Sequence, residues 1–396
     1  MILSPNNTVG HKFEGARDTL GPLKTTGRGI GIAVLDSGVS PHPDLDDRLV
    51  SAISTVPNSP GTTDFLGHGT HVASLALGTG QVSQGRFRGV APGAHLASVR
   101  VTSGEEAQMT PEERYAAVVN GIEWAMENRQ RFNIRVVNLS MGYPLVHQED
   151  PQGHSYFLDP LGQAIEEATK AGLVLVVAAG NDGDGPGTLR FTPATHPDVI
   201  TVGSLDTMGT PHDDGDDTVA KFSSRGPGPG KGQPDLIAPG VNLMGANVAF
   251  SLAEGANDRA LESSHRLTTA TLDELHEVAS QVIEARGWDR EMLMLPAEVL
   301  RTKLLAKIDA KPTAWFLPNG HPGYLALHGT SMSAPLVAGV VACMLEANPS
   351  LTPAEVKDIL KDTARPLPQW DANAQGAGVL DASAAVAEAS RRGTRA

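Results

Sequence analysis

The stretch Leu173-Val174-Leu175-Val176-Val177-Ala178-Ala179 carries no polar side chain on either face that a strand would present. Such a strand needs apolar cover on both sides, which a parallel sheet flanked by helices supplies. The same signal recurs in Ile30 to Leu35, Leu96 to Val101, Ile134 to Leu139 and Val199 to Val202. Helical patterns alternate with these runs, one through Tyr115, Val118, Val119, Ile122, Trp124, Ala125 and Met126, another through Leu161, Ile165 and Ala168. The alternation predicts an α/β domain of three layers, a mainly parallel sheet with helices on both faces. A chain of 396 residues holds one such large domain and an insertion.

Sheets of this kind build their sites at the carboxyl ends of strands, and Asp36 stands at such an end in Asp36-Ser37-Gly38. Taken alone it reads equally as a turn aspartate. Gly67-His68-Gly69-Thr70-His71-Val72-Ala73 opens a predicted helix with two histidines about one turn apart, without the glutamate that a zincin places between them. Gly329-Thr330-Ser331-Met332-Ser333-Ala334-Pro335 delivers a serine to the start of a run, Pro335 to Leu345, that is apolar on nearly every side. Unpaired amides at a helix start favour a negative oxygen, which suits a nucleophilic serine; a capping Thr330 or Ser331 is the plainer alternative. Two glycine-rich stretches bind no nucleotide. Gly27 to Gly31 precedes its strand instead of following it, and in Gly226 to Lys231 the prolines remove amides that a phosphate would need.

Four motifs together, Val34-Leu35-Asp36-Ser37-Gly38, Gly67 to Ala73, Ala178-Ala179-Gly180-Asn181 and Gly329 to Pro335, resemble the signatures of subtilisin-like serine proteases, in that family's order. Lesser matches include His42-Pro43-Asp44-Leu45, Gly89-Val90-Ala91-Pro92, Phe222 to Pro227 and Ala238-Pro239-Gly240, and the likeness covers about Gly27 to Ala249 and Leu325 to Ala389. The resemblance implies an endopeptidase with Ser331 as nucleophile, His68 as general base, Asp36 orienting the imidazole, and Asn181 with the Ser331 amide binding the oxyanion. It implies Ser140, Met141 and Gly142 as one wall of the primary specificity pocket and Ala178, Ala179 and Gly180 as the other. Glutamates Glu105, Glu106, Glu112 and Glu113 would border more distant subsites and favour basic substrate residues, or form a solvated loop. A peptide ligase on the same triad is the second enzymatic reading, and a non-catalytic binding module the reading from another class.

A net charge of -14 without a basic cluster argues against nucleic acid and anionic membranes as partners, leaving a protein or peptide substrate. The single cysteine, Cys343, excludes an internal disulfide, and no apolar run is expected to span a membrane. Met1 to Lys24 lacks the features of a secretory signal, so a cytoplasmic enzyme is expected, or a secreted one whose signal and propeptide were trimmed. Catalysis is expected to need no cofactor. Asp44 is a candidate ligand for structural calcium, although Arg86 and Arg88 in the neighbouring Gly78 to Arg88 loop work against a cation.

The chain divides into an N-terminal arm (1–28), a catalytic domain (29–249 and 322–396) and an insertion (250–321). Thr271-Leu272-Asp273-Glu274 reads as a capping box opening a helix with Leu275, Val278, Val282 and Ile283 on one face. A second helix from Pro296 would carry Val299, Leu300, Leu304, Leu305 and Ile308, so the insertion is expected to be helical. It would buttress the domain, act as a lid, or dock a partner.

Overall fold

A computed structural model describes residues 14–17, 19–59, 61–102, 109–149, 155–210, 215–227, 232–248, 272–285, 293–295, 297, 300, 304, 314–316 and 322–393. After the short β1 (Glu14–Gly15), the chain forms β2 (Gly31–Asp36), β3 (Leu49–Ser54), α1 (His68–Leu77), β4 (His95–Arg100), α2 (Pro111–Glu127) and β5 (Ile134–Leu139). Next come β6 (Tyr143–Pro144), β7 (Val146–Glu149), β8 (Ser155–Leu158), α3 (Gly162–Lys170), β9 (Val174–Ala178), β10 (Phe191–Thr192), β11 (Ile200–Asp206), β12 (Thr218–Val219), β13 (Leu236–Pro239) and β14 (Leu243–Ala246). The rest comprises α4 (Leu272–Ala285), β15 (Ala314–Phe316), β16 (Pro322–Leu327), α5 (Thr330–Ala347), α6 (Pro353–Thr363), α7 (Ala372–Gln375) and α8 (Ala382–Gly393).

The main sheet runs β12-β11-β9-β5-β2-β4-β3, with β13 also on β11, and is parallel except at β12. Alternation along each strand splits the core in two. Ile32 and Val34 of β2 join α1 and α5 in one apolar layer, whereas Ala33 and Leu35 join α2 and α3 in the other. This is the three-layer arrangement expected. The edge strand β3 escaped prediction because its six residues lie exposed or half-buried and lack the all-apolar signal.

A helix of 18 residues, α5 is long and apolar enough by composition to cross a membrane, contrary to expectation; 83% of it is buried inside the protein. It runs through the middle of the layer shared with α1, α6 and α8. Here an all-apolar helix is the mark of a core element covered on every side.

The segment from Tyr143 to Leu158, expected as a polar loop, contains β6 and an antiparallel β7/β8 hairpin. A second sheet, β1-β14-β16-β15, ties the arm and the end of the insertion to the domain. In it β14 approaches α1 so closely that a Cβ on Gly245 would sit 2.7 Å from the His71 ring. Within the insertion, Leu275, Ala279 and Ile283 pack on Leu300 and Leu304 in a small apolar cluster of their own. Thus α4 is present as expected and Ala297, Leu300 and Leu304 are helical, but the insertion also supplies β15, which helical periodicity could not reveal. Thr271 of the expected capping box, Val299, Leu305 and Ile308 lie outside the described residues.

Candidate active site

Neighbouring strands β9, β5 and β2 end side by side, so their carboxyl ends bring Asn181, Ser140 and Asp36 to one edge of the sheet. Two helix starts face that edge. Helix α1 begins with His68 and α5 with Thr330 and Ser331. A Cβ on Gly69 would lie 2.2 Å from the Gly38 carbonyl, so glycine is what lets α1 start against the turn after β2.

His68 Nδ1 donates to Asp36 Oδ1 at 2.8 Å. Because a carboxylate only accepts, Nδ1 carries the proton and Nε2 presents its lone pair. Asp36 is 1% exposed and also accepts from the Ser37 amide at 2.7 Å. Burial lowers the proton affinity of His68, but the Asp36 charge and hydrogen bond outweigh it, with a further contribution from Asp64, and the net shift is upward. The ring is 26% exposed, so water moderates the burial penalty. His71, at 1% exposure, lies behind it; Nε2 contacts the Leu325 carbonyl at 2.9 Å, and burial pushes its pKa down to about 4.

The nucleophile candidate sits in the first turn of α5. Ser331 Oγ donates to the Ser140 carbonyl at 2.9 Å, and Ser140 Oγ donates back to the Ser331 carbonyl at 2.9 Å. Pro335 lies inside the helix and has no N–H to give the carbonyl four residues earlier, which is that of Ser331. Ser140 supplies the missing donor.

Asn181 is fixed by Thr330. The Thr330 amide and hydroxyl both reach Asn181 Oδ1, at 2.9 and 3.0 Å, so the side-chain NH₂ points away from them. Gly180 N–H in turn donates to Thr330 Oγ1 at 3.1 Å. The Nδ2 donor is thereby turned away from Thr330, and the Ser331 amide lies in the same first turn of α5.

Of the remaining expected positions, Ser140, Met141 and Gly142 follow β5, while Ala178 ends β9 and Ala179 and Gly180 follow it. Phe191, missed in the sequence, links the two: a Cβ would meet it at 3.1 Å from Gly142 and 4.0 Å from Gly180. The glutamate expectation is partly corrected. Glu113 is engaged in a capping box with Thr110 at the start of α2, and Glu112 lies in the same turn, whereas Glu105 and Glu106 lie outside the described residues.

Asp44, the calcium candidate, is engaged within the protein. Its Oδ2 accepts from the Tyr324 hydroxyl at 2.6 Å and its Oδ1 from the Val82 amide at 3.0 Å, in a site 1% exposed. Protein donors thus reach both oxygens. Among the described residues no group of three His, Cys, Asp or Glu could hold a metal. Two acidic turns at the surface are likewise engaged within the protein: Asp182 pairs with Arg190 at 3.1 Å and Asp216 accepts from Thr210 at 2.7 Å.

A family model described as the Subtilase family matches residues 27–381. Serine protease AprX of Bacillus subtilis (strain 168) is 33% identical over 365 residues, covering 91% of this chain and 67% of AprX. Subtilisin Savinase of Lederbergia lenta is 29% identical over 364 residues, covering 91% of this chain and 92% of Savinase. Among solved structures, fervidolysin from Fervidobacterium pennivorans superposes with a TM-score of 0.61 at 24% identity, covering 98% of this chain and 50% of fervidolysin. These matches correct the expectation of a cytoplasmic enzyme, Savinase and the alkaline proteases among them being extracellular secreted enzymes.

Proposed function

The chain belongs to the subtilase family of serine proteases, and we propose that it hydrolyses peptide bonds in protein substrates through an acyl-enzyme on Ser331. The observation that carries this reading is the 2.8 Å contact of His68 Nδ1 with Asp36, which leaves Nε2 unprotonated and able to act as a base. In the reaction the Ser331 hydroxyl turns from the Ser140 carbonyl to His68 Nε2 and gives up its proton as Oγ attacks the scissile carbonyl. The new oxyanion takes hydrogen bonds from Asn181 Nδ2 and the Ser331 amide. As the carbon–nitrogen bond breaks, His68 returns the proton to the leaving amine. Water then attacks the ester, with His68 as base again, and releases the acid and Ser331. Asp36 stays ionised throughout and stabilises the imidazolium.

The extended ends of β5 and β9, Ser140 to Gly142 and Ala178 to Gly180, serve as walls for the substrate side chain, with Phe191 between them. No cofactor is needed for these steps, and Asp44 acts as an internal anchor for the 79–88 loop. For the insertion (250–321), attachment of β15 to β16, the strand that leads into Ser331, supports a buttress; a lid over the substrate is the second reading. Removing residues 251–318 separates them, since loss of a lid broadens protein cleavage and loss of a buttress leaves specificity unchanged.

The primary test is mass spectrometry after exposure to a fluorophosphonate. One adduct on Ser331, absent from Ser331→Ala and His68→Ala, is expected. A folded wild-type chain that takes no label would overturn the reading.

A further inference from the structure

Asp64 is 2% exposed in the turn before α1, four residues ahead of His68, and nothing in the catalytic cycle above uses it. Its carboxylate is crowded with donors. Oδ1 accepts from the Leu66 amide at 3.0 Å, the Gly67 amide at 2.7 Å and the Ser37 hydroxyl at 2.8 Å. Oδ2 accepts from the Thr70 amide at 2.8 Å and the Thr70 hydroxyl at 2.7 Å. Four of these bonds stitch the start of α1. The fifth crosses to the residue next to Asp36.

Ser37 has one hydroxyl proton and two carboxylates within reach, Asp64 Oδ1 at 2.8 Å and Asp36 Oδ1 at 3.2 Å. Its lone pairs are engaged by the Gly69 amide at 2.9 Å, which fixes the hydroxyl between β2 and α1. With that proton on Asp64, Asp36 keeps two donors on Oδ1, the Ser37 amide and His68 Nδ1, while its buried Oδ2 has no partner among the described residues. A third donor on Asp36 would stabilise its charge and weaken its hold on an imidazolium. We propose that Asp64 is a positioning residue for catalysis, which keeps the Ser37 proton on its own carboxylate and so reserves the Asp36 charge for His68.

This rests on the triad reading of Asp36, His68 and Ser331. Among the described residues, the titratable groups that act on His68 are Asp36 on β2, Asp64 before α1 and His71 along α1; Arg100, level with Asp36 on the neighbouring β4, has its guanidinium tied to Ser59 and Gly61. Both carboxylates act on His68 in the same direction, upward. A purely structural Asp64 would change how much active enzyme folds. It would shift the pH at which His68 loses its proton only through its charge, and equally with or without the Ser37 hydroxyl.

The readout is the rate of fluorophosphonate labelling of Ser331 against pH, for wild type, Asp64→Asn, Ser37→Ala and the double variant, each checked for folding by circular dichroism. Asp64→Asn is expected to move the acid limb down by on the order of half a unit, and by less in the Ser37→Ala background. Ser37→Ala alone should leave the limb in place whatever it does to the plateau, because the lost proton was not on Asp36. A stationary limb in Asp64→Asn, or an equal shift in both backgrounds, overturns the proposal. So does a limb that rises in Ser37→Ala, and that comparison decides the matter if Asp64→Asn does not fold. A folded wild-type chain that takes no label would remove the triad reading itself, and this inference with it.

Discussion

Ser140 and Ser331 exchange hydrogen bonds, hydroxyl to carbonyl in both directions at 2.9 Å, across the junction of β5 and α5. One of the two exists because Pro335 cannot donate to the Ser331 carbonyl. Ser140→Ala should therefore strand a buried acceptor, lowering stability by ~1–3 kcal/mol and reducing kcat as the nucleophile's turn relaxes. Pro335→Ala restores a helical N–H at the right position. The double variant Ser140→Ala/Pro335→Ala should recover part of both losses in urea unfolding and turnover; strictly additive losses would contradict the relation.

Thr330 locks the amide orientation of Asn181. Thr330→Val keeps the shape but removes the hydroxyl, and is expected to lower kcat ~10-fold with little change in KM, since the affected donor acts on developing charge. Asn181→Ala should cost ~10²–10³ in kcat, the magnitude measured for subtilisin's own asparagine. The pair should be non-additive, because Thr330 has little left to orient once Asn181 is gone. A double-mutant cycle on kcat measures this.

His71 is buried as the neutral ring, with a pKa of about 4 in the folded state against 6.5 for an unperturbed histidine. Between those values the unfolded chain binds the extra proton, so its contribution is complete above pH ~6.5 and lost as pH falls towards ~4, amounting to ~3 kcal/mol. Denaturant midpoints measured across this window should fall with acid in the wild type. In His71→Gln the fall should be shallower.

For Tyr324, removal of the hydroxyl takes a 2.6 Å donor from Asp44 and the acceptor of the Ser83 amide. Tyr324→Phe should lower stability by ~1–3 kcal/mol, while a calcium chelator should leave the wild-type melting temperature unchanged. The opposite pattern, a chelator-sensitive wild type and an indifferent Tyr324→Phe, would return Asp44 to the role of a calcium ligand.

What the sequence revealed and what it concealed follow from the range of the interactions. The buried strands were legible because cover on both faces demands unbroken apolar runs, as in β9. Asp36, His68, Asn181 and Ser331 were legible because each stands at a strand end or helix start with a recognisable neighbourhood. Thr330 and Pro335 were in view within the same motif, but their partners, Asn181 and Ser140, lie more than a hundred residues away in the chain. Asp64 gave a weak local signal, an acid just ahead of a helix, which capping preferences could have flagged. Tyr324 gave none. Its partner Asp44 is 280 positions distant, and only the second sheet brings them together.

The placement of α5 has a consequence for the chain during its synthesis. Strands β2, β5 and β9 and the helix bearing His68 are all made long before residues 330–347, which fill the centre of one apolar layer. Until that segment leaves the ribosome the nascent protein lacks both the proposed nucleophile, Ser331, and the middle of its core. On the proposed role of Ser331, the order of translation leaves a half-made chain unable to cleave peptide bonds, and that serine arrives with the helix that completes the fold.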